Sequence, residues 1–304
     1  MAVFSLRTKV VLDSAARRCD GLGMRLFALT ALVMIAFAAN SVLNRMAVHD
    51  AGWGPAATGF VRLSSGALVL LALAIRAKGA AGLRLPPAIL GAGVATLALY
   101  IFGFSIASGL IDAGVGALTL FGMVQITMFA GALWMREPIS RWRWIGAGLA
   151  FAGLAVLLLP ASGAAHIDPR GFAMMALAGI GWGLYSLNGR RAGNPLIATA
   201  LNFSLAAPLA LIWMLGAGDW GQGASWGWLP AILSGAVTSG LGYALWYRVL
   251  PQIPASLAAI AQLSVPLIAA LGGAVVLAET PSARFWLAAA LVIGGIALSL
   301  KRKT

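Results

Sequence analysis

The stretch Phe129 to Leu158, FAGALWMREPISRWRWIGAGLAFAGLAVLL, is written twice in this chain. Moved forward 142 positions without a gap, it lies on Leu271 to Leu300, LGGAVVLAETPSARFWLAAALVIGGIALSL, with ten of thirty positions identical. Matches of Ala, Leu and Gly carry little weight in so apolar a chain. The pairs Glu137/Glu279, Ser140/Ser282 and Trp144/Trp286 carry more, and all fall at one turn between two apolar runs. Self-similarity at a fixed offset marks a duplicated unit. Weaker echoes agree: Ser41-Val-Leu-Asn-Arg45 with Ser186-Leu-Asn-Gly-Arg190, Tyr100 and Phe104 with Tyr243 and Tyr247, and Gly54-Pro55 with Asn194-Pro195.

Composition sets the solvent. Hydrophobic residues make up 61% of the chain, charged ones 10%, and the mean hydropathy is +0.93. A soluble domain carries about 25% charged residues, so the lipid bilayer is the expected surroundings. A net charge of +13 would suggest a nucleic-acid partner in a soluble protein. Here the basic residues stand in short clusters between apolar runs, as membrane orientation signals do, and no nucleic-acid partner is expected. Cys19 is the only cysteine, which excludes an internal disulfide and a Cys-based metal site. Residues 1–23 lack an apolar core long enough for a cleaved signal peptide. They read either as a cytoplasmic N-terminal tail or as a product of start-site choice, with Met24, which opens the first apolar run, as the alternative start.

A span needs about 20 mostly apolar residues. That ruler gives ten: 24–47, 55–77, 86–108, 113–135, 142–159, 170–190, 194–215, 228–250, 254–277 and 282–300. The intervening loops are short and hold turn residues, such as Leu85-Pro-Pro87 and Pro160-Ala-Ser-Gly163. Of the 21 basic residues, 17 fall on alternate loops and the two tails. Only Arg45, Arg62, Arg170 and Arg284 lie toward the other face, with Asp50, Asp112, Asp168, Asp219 and Glu279. The positive-inside rule then places both termini, including the tail 301–304, in the cytoplasm.

Residues 24–159 and 170–300 are thus two halves of five spans each. An odd number inverts the second half relative to the first. The expected fold is an all-α integral membrane protein, ten transmembrane helices arranged as two inverted five-helix repeats around a central cavity. Secondary transporters repeatedly use this design.

Inside the spans the central stretches hold no Asp, Glu, Lys or His. Proton-coupled carriers place such groups in the bundle interior despite a cost of about 2.5–3.5 kcal/mol. Glu137 and Glu279 sit at helix ends, where capping the following turn or pairing with a nearby Arg is the ordinary role. His49 and His166 fall in loops. Arg62, about two turns into the second span, has two readings. Its stem can snorkel to the interface, or its head can meet a carboxylate in an outward-facing vestibule.

The polar and aromatic residues at mid-span are Asn40, Tyr100, Gln125, Trp182, Tyr185, Tyr243, Trp246 and Gln262, with Ser41, Asn44, Ser186 and Asn202 beside them. An amide facing lipid stays unpaired, so these should face inward. Each taken alone could be interhelical glue or core packing; their convergence from several spans suggests a binding site. Pro266 withholds an amide from the Gln262 carbonyl, and Pro208 does the same for Ser204. No metalloprotease, phosphate-loop or nucleophile-elbow motif is present, so an enzyme is not expected, and neither is a cofactor.

The Glu turns Arg136-Glu-Pro138 and Ala278-Glu-Thr-Pro281, each ahead of a Gly/Ala-rich final span, resemble the EamA-type families of the drug/metabolite transporter superfamily. So do the openings of the halves, Phe37-Ala-Ala-Asn-Ser-Val-Leu-Asn-Arg45 and Gly181-Trp-Gly-Leu-Tyr-Ser186. The resemblance covers 24 to 300. The ring content at Tyr100, Trp182, Tyr185, Tyr243 and Trp246 is most similar to the YddG-like aromatic amino acid exporters.

The resemblance implies a bacterial inner-membrane exporter of small amphipathic metabolites, amino acids (aromatic or other apolar) foremost, working by alternating access as a monomer or weak homodimer. Rings would hold the apolar body, and Asn40, Gln125, Gln262 and Arg62 the polar head. The chain departs from the small multidrug branch, which depends on a Glu in its first span, and from the sugar-phosphate branch, which needs buried Lys and Arg in its central site. Export of hydrophobic drugs or other neutral metabolites, and a non-transporting membrane scaffold, are the alternatives.

Overall fold

The computed structural model describes residues 2–108, 110–111, 113–158, 168–276 and 283–301. The expectations placed on Asp112, His166 and Glu279 lie outside them. The described residues are helical between short turns and contain no strand. The α-helices are α1 (Ala2–Arg45), α2 (Pro55–Lys78), α3 (Pro87–Ser108), α4 (Ala113–Trp134), α5 (Arg141–Leu158), α6 (Pro169–Gly189) and α7 (Pro195–Ala217). After them come α8 (Trp228–Leu233), α9 (Gly242–Val249), α10 (Ala255–Gln262), α11 (Ser264–Val276) and α12 (Ala283–Ser299). Each predicted span coincides with helix to within a few residues. Helix α1 extends back to Ala2, through the stretch read from sequence as a tail.

Among the described residues, six stretches are long and apolar enough to cross a membrane: Gly23–Val48, Pro55–Lys78, Pro87–Ala107, Gly116–Trp134, Pro195–Ala217 and Ser225–Gln252. Large apolar side chains such as Ile126, Ile212 and Ile293 stand exposed on the bundle exterior, as they must against lipid. Trp134, Trp220, Trp226 and Trp228 are exposed at helix ends, where an indole is suited to the bilayer interface.

Local chemistry explains the helix boundaries. Pro55, Pro169 and Pro195 open α2, α6 and α7, where a missing amide is harmless. The Asp168 carboxylate accepts from the amides of Arg170 (2.7 Å) and Gly171 (3.1 Å), and Asn194 from that of Ile197 (3.1 Å). Asp219, beyond the end of α7, caps a different helix: it accepts from Ala56 (2.8 Å) and Ala57 (3.0 Å) at the start of α2. Gly54 is needed there, since a Cβ would lie 2.0 Å from that carboxylate.

Two predicted spans are broken. The span around 228–250 changes at Ser234–Leu241 to π-helical winding between α8 and α9. The span around 254–277 breaks at Leu263, so Pro266 falls in the first turn of α11 and the Ser264 hydroxyl bonds the Ala261 carbonyl (2.7 Å). Around Pro208, α7 runs on unbroken.

Helix α5 packs along α12, α2 along α7, and α3 along α6, while α1 packs on the π-helical segment, α9 and α11. The α5–α12 contact is close enough to need glycine. A Cβ on Gly146 would meet the Gly295 carbonyl at 2.4 Å, and one on Gly153 would meet the Ala288 carbonyl at 2.9 Å. Gly146 and Ala288 are one pair under the 142-residue offset; Gly153 and Gly295 are another.

Candidate functional site

Mid-bundle, α1, α2, α3, α6 and the broken span bring their polar and aromatic groups to one place. Trp182 on α6 is the hub. Its ring lies 5.2 Å from Phe37, 5.1 Å from Tyr100, 5.7 Å from Tyr185 and 4.7 Å from Tyr243, centroid to centroid. Its indole N–H donates to Gln262 Oε1 at 2.5 Å, and Gln262 Nε2 contacts Met128 Sδ at 3.1 Å on α4. Trp246 packs on Phe37 (5.9 Å) and donates to the Ser186 hydroxyl (3.1 Å). Tyr247 donates to the Tyr185 carbonyl (3.0 Å).

Beside this cluster Arg62 is 3% exposed. Its guanidinium does not snorkel. Nε donates to the Ser239 hydroxyl at 2.7 Å and Nη2 to the Tyr243 hydroxyl at 2.5 Å. Its carbon lies 5.8 Å from the centroid of the Tyr100 ring and 6.0 Å from that of Tyr243, a cation–π arrangement. Hydroxyls and ring faces therefore surround the cation, and no carboxylate among the described residues pairs with it.

The π-helical segment makes this possible. Its winding gathers Ser234, Thr238 and Ser239 on Asn40 of α1, whose Oδ1 accepts from their hydroxyls at 2.6, 3.1 and 3.2 Å. Gly235 lets that segment approach α2, since a Cβ there would lie 2.1 Å from the Arg62 carbonyl. A relay thus runs from the Arg62 guanidinium through Ser239 to the Asn40 amide, each bond polarising the next.

All nine residues singled out from sequence are buried, none more than 9% exposed. Eight of them join this network. Gln125 stands apart, with Oε1 buried and without a partner among the described residues; Thr58 Oγ1 shares that condition. Ser234, Thr238, Ser239 and Phe203, which packs on Tyr243 at 5.7 Å, were not anticipated. The run Ser234-Gly-Ala-Val-Thr-Ser-Gly240, small and hydroxyl-bearing in mid-span, is the signal that could have found the first three.

The expected central cavity is closed. Its lining fills it, because inward-facing rings at these spacings meet one another. An open cleft of about 510 Å³ lies at one end of the bundle, among α2, α3 and α7, and includes Ser105, Trp213, Asp219 and Gln222.

At the opposite end Glu137 holds the two halves of the chain together. Arg136 takes a left-handed conformation (φ 55°) after α4, and the Glu137 amide bonds back to the Ala132 carbonyl (2.9 Å), a Schellman-type stop. The turn aims the Glu137 carboxylate at α10. There it accepts from the Ala255 amide (2.8 Å) and, in a very short bond, from the Ser256 hydroxyl. Arg143 pairs with it at 3.2 Å, as anticipated. The following turn is capped by Ser140 instead, so Glu137 caps a helix of the other half. Arg190 completes this end by donating to the carbonyls of Leu250 (2.9 Å) and Ile253 (2.6 Å).

Helices of this length and polarity around a buried polar centre define a multi-pass membrane protein of the transporter type. The EamA-like transporter family model matches residues 24–159 and again 169–301, and the chain belongs to that family. It is 42% identical over 278 residues to an uncharacterized protein of Pseudomonas aeruginosa, covering 91% of this chain and 94% of that one. It is 31% identical over 228 residues to the threonine/homoserine exporter RhtA of Escherichia coli K12, covering 72% of this chain and 73% of the relative. A solved crystal structure shares the fold, with a TM-score of 0.79 at 19% identity over 91% of this chain and 96% of the other.

Proposed function

We propose that the protein exports small amphipathic metabolites, amino acids foremost, across the bacterial inner membrane by alternating access between two inverted five-helix halves. The carrying observation is the buried Arg62, held by the Ser239 and Tyr243 hydroxyls and the faces of Tyr100 and Tyr243, within a cluster of rings and amides. Burying an arginine inside a span is costly, up to about 2.5–3.5 kcal/mol at the helix centre, and such residues mark substrate pathways. A purely structural centre has no need of it, and neither does a site for hydrophobic drugs.

Three further points support this reading. The α5–α12 glycine contacts exchange partners under the 142-residue offset, as a pseudo-two-fold axis requires. A relative matched over nearly three quarters of its length is named for threonine and homoserine export. The site also lies within one chain, so a monomer suffices. Tyr100, Trp182, Tyr185, Tyr243 and Trp246 would part to admit the substrate body, with Asn40, Gln125, Gln262 and Arg62 meeting its polar head.

The described mid-bundle residues hold no carboxylate or histidine to carry a proton, so exchange is expected to run without a pH gradient. Counterflow in proteoliposomes preloaded with the twenty amino acids checks both statements. The expected result is exchange of one or more amino acids at equal rates with and without a gradient. A strict gradient requirement contradicts uncoupled exchange; no exchange of any amino acid contradicts the substrate class.

A further inference from the structure

The proposed export site contains a cation and no anion, and that asymmetry decides which part of a substrate it can read. None of the chain's eight acidic residues falls in the central stretch of a span read from the sequence. Around Arg62 the ligands are neutral: the hydroxyls of Ser239 and Tyr243 and the faces of Tyr100 and Tyr243. Asn40 Oδ1, reached from the Arg62 guanidinium through the Ser239 hydroxyl, is a buried amide acceptor of the same network.

Resting on the export reading, we infer that the site takes its ligand by the carboxylate, through Arg62, and reads the substituent beside it only as a neutral hydrogen-bond donor. The ligand class is 2-substituted monocarboxylates, so 2-hydroxy acids are ligands alongside amino acids. The charge count supports this. A zwitterion beside Arg62 leaves one net positive charge in a poorly polarisable interior, whereas a hydroxy acid leaves none. An amide acceptor such as Asn40 Oδ1 bonds an ammonium and a hydroxyl alike. A bidentate guanidinium–carboxylate pair would take the place of the bonds to Ser239 and Tyr243. That would break the Arg62 side-chain bonds that tie α2 to the π-helical segment and to α9, so occupation and opening are linked through one side chain.

The test is thermal unfolding of the full-length protein in nanodiscs against four matched sets. These are threonine, homoserine, leucine and phenylalanine; their 2-hydroxy acids; their carboxamides; and their decarboxylated amines. The acids of at least one side chain are expected to raise Tm. The amino acid and its hydroxy acid should have apparent affinities within about threefold of each other, with the carboxamide and the amine at least about thirtyfold weaker. Arg62→Lys should keep the preference for acids at lower affinity, and Arg62→Gln should abolish it.

Carboxamides or amines binding as well as acids would overturn the inference, as would hydroxy acids without effect or no response to any acid. Amino acid counterflow, measured separately, tells whether the export reading falls with it. Should Arg62→Gln fail to fold, the four ligand sets on the unaltered protein and on Arg62→Lys still decide the matter.

Discussion

Trp182→Ala is expected to abolish substrate exchange and to lower the stability of the purified protein by about 3–5 kcal/mol, the usual cost of truncating a buried large aromatic. Trp182 touches four other rings and fills the space between α1, α3 and the broken span. Lipid offers little hydrophobic drive for helix association, so close packing of this kind carries a larger share of the cohesion.

Trp182→Phe separates the two roles of the side chain. Most ring contacts survive, but Gln262 Oε1 loses its donor at the level of the broken helix. Stability should fall by only about 1–3 kcal/mol, the cost of one buried unsatisfied acceptor, while the exchange rate falls steeply. Thermal unfolding and counterflow on the same preparations check this; a Phe variant exchanging at the original rate would make the indole N–H a packing detail.

Glu137→Ala is the second large effect expected. One carboxylate caps the start of α10 through the Ala255 amide and the Ser256 hydroxyl and pairs with Arg143. Its removal takes the acceptor from the Ala255 amide and the Ser256 hydroxyl and leaves Arg143 its bond to Ser256, at a cost to the closed form of about 2–4 kcal/mol. A shift of that size changes the closed-to-open ratio by thirtyfold or more, since about 1.4 kcal/mol is a factor of ten. Hydrogen exchange reads it directly. The amides of Ala255 to Ala258 should lose at least about tenfold protection in Glu137→Ala and less in Glu137→Gln, whose carboxamide oxygen still accepts. Unchanged protection would reduce the contact to a surface pair of little weight.

The helices were legible because the bilayer leaves few options. An apolar run of about 20 residues must satisfy its own backbone, and prolines at 55, 87, 169 and 195 mark where four of them begin. The inward facing of Asn40, Tyr100, Trp182, Tyr243 and Gln262 followed from the same constraint, since an amide or phenol in lipid lacks partners.

Sequence did not reveal what those groups meet. Arg62 lies near enough to one end of its span to snorkel, and it is Ser239 on the π-helical turn, with Tyr243 in the first turn of α9, that draws it inward. That winding depends on tight contacts of Gly235 and Gly240 with α2, which no spacing rule encodes. Glu137 likewise fits a local cap on sequence grounds. Its true partner lies 118 residues away, and the left-handed Arg136 turn that aims it is chosen by a residue type rarely found there. Closure of the centre follows from ring-to-ring geometry and has no signature in a single chain.

Alternating access is tested most directly by thiol labelling at the relay beside Arg62. The chain has a single cysteine, so Ser239→Cys in a Cys19→Ser background gives one reporter, close in size to the residue it replaces and 0% exposed in the closed form. Membrane-impermeant maleimides of small cross-section are added to right-side-out or inside-out vesicles, with and without an exchanged amino acid. A carrier with its site at this level is expected to react from both sides, each at a rate the amino acid changes. Reaction from one side only, or from neither under any condition, would contradict it.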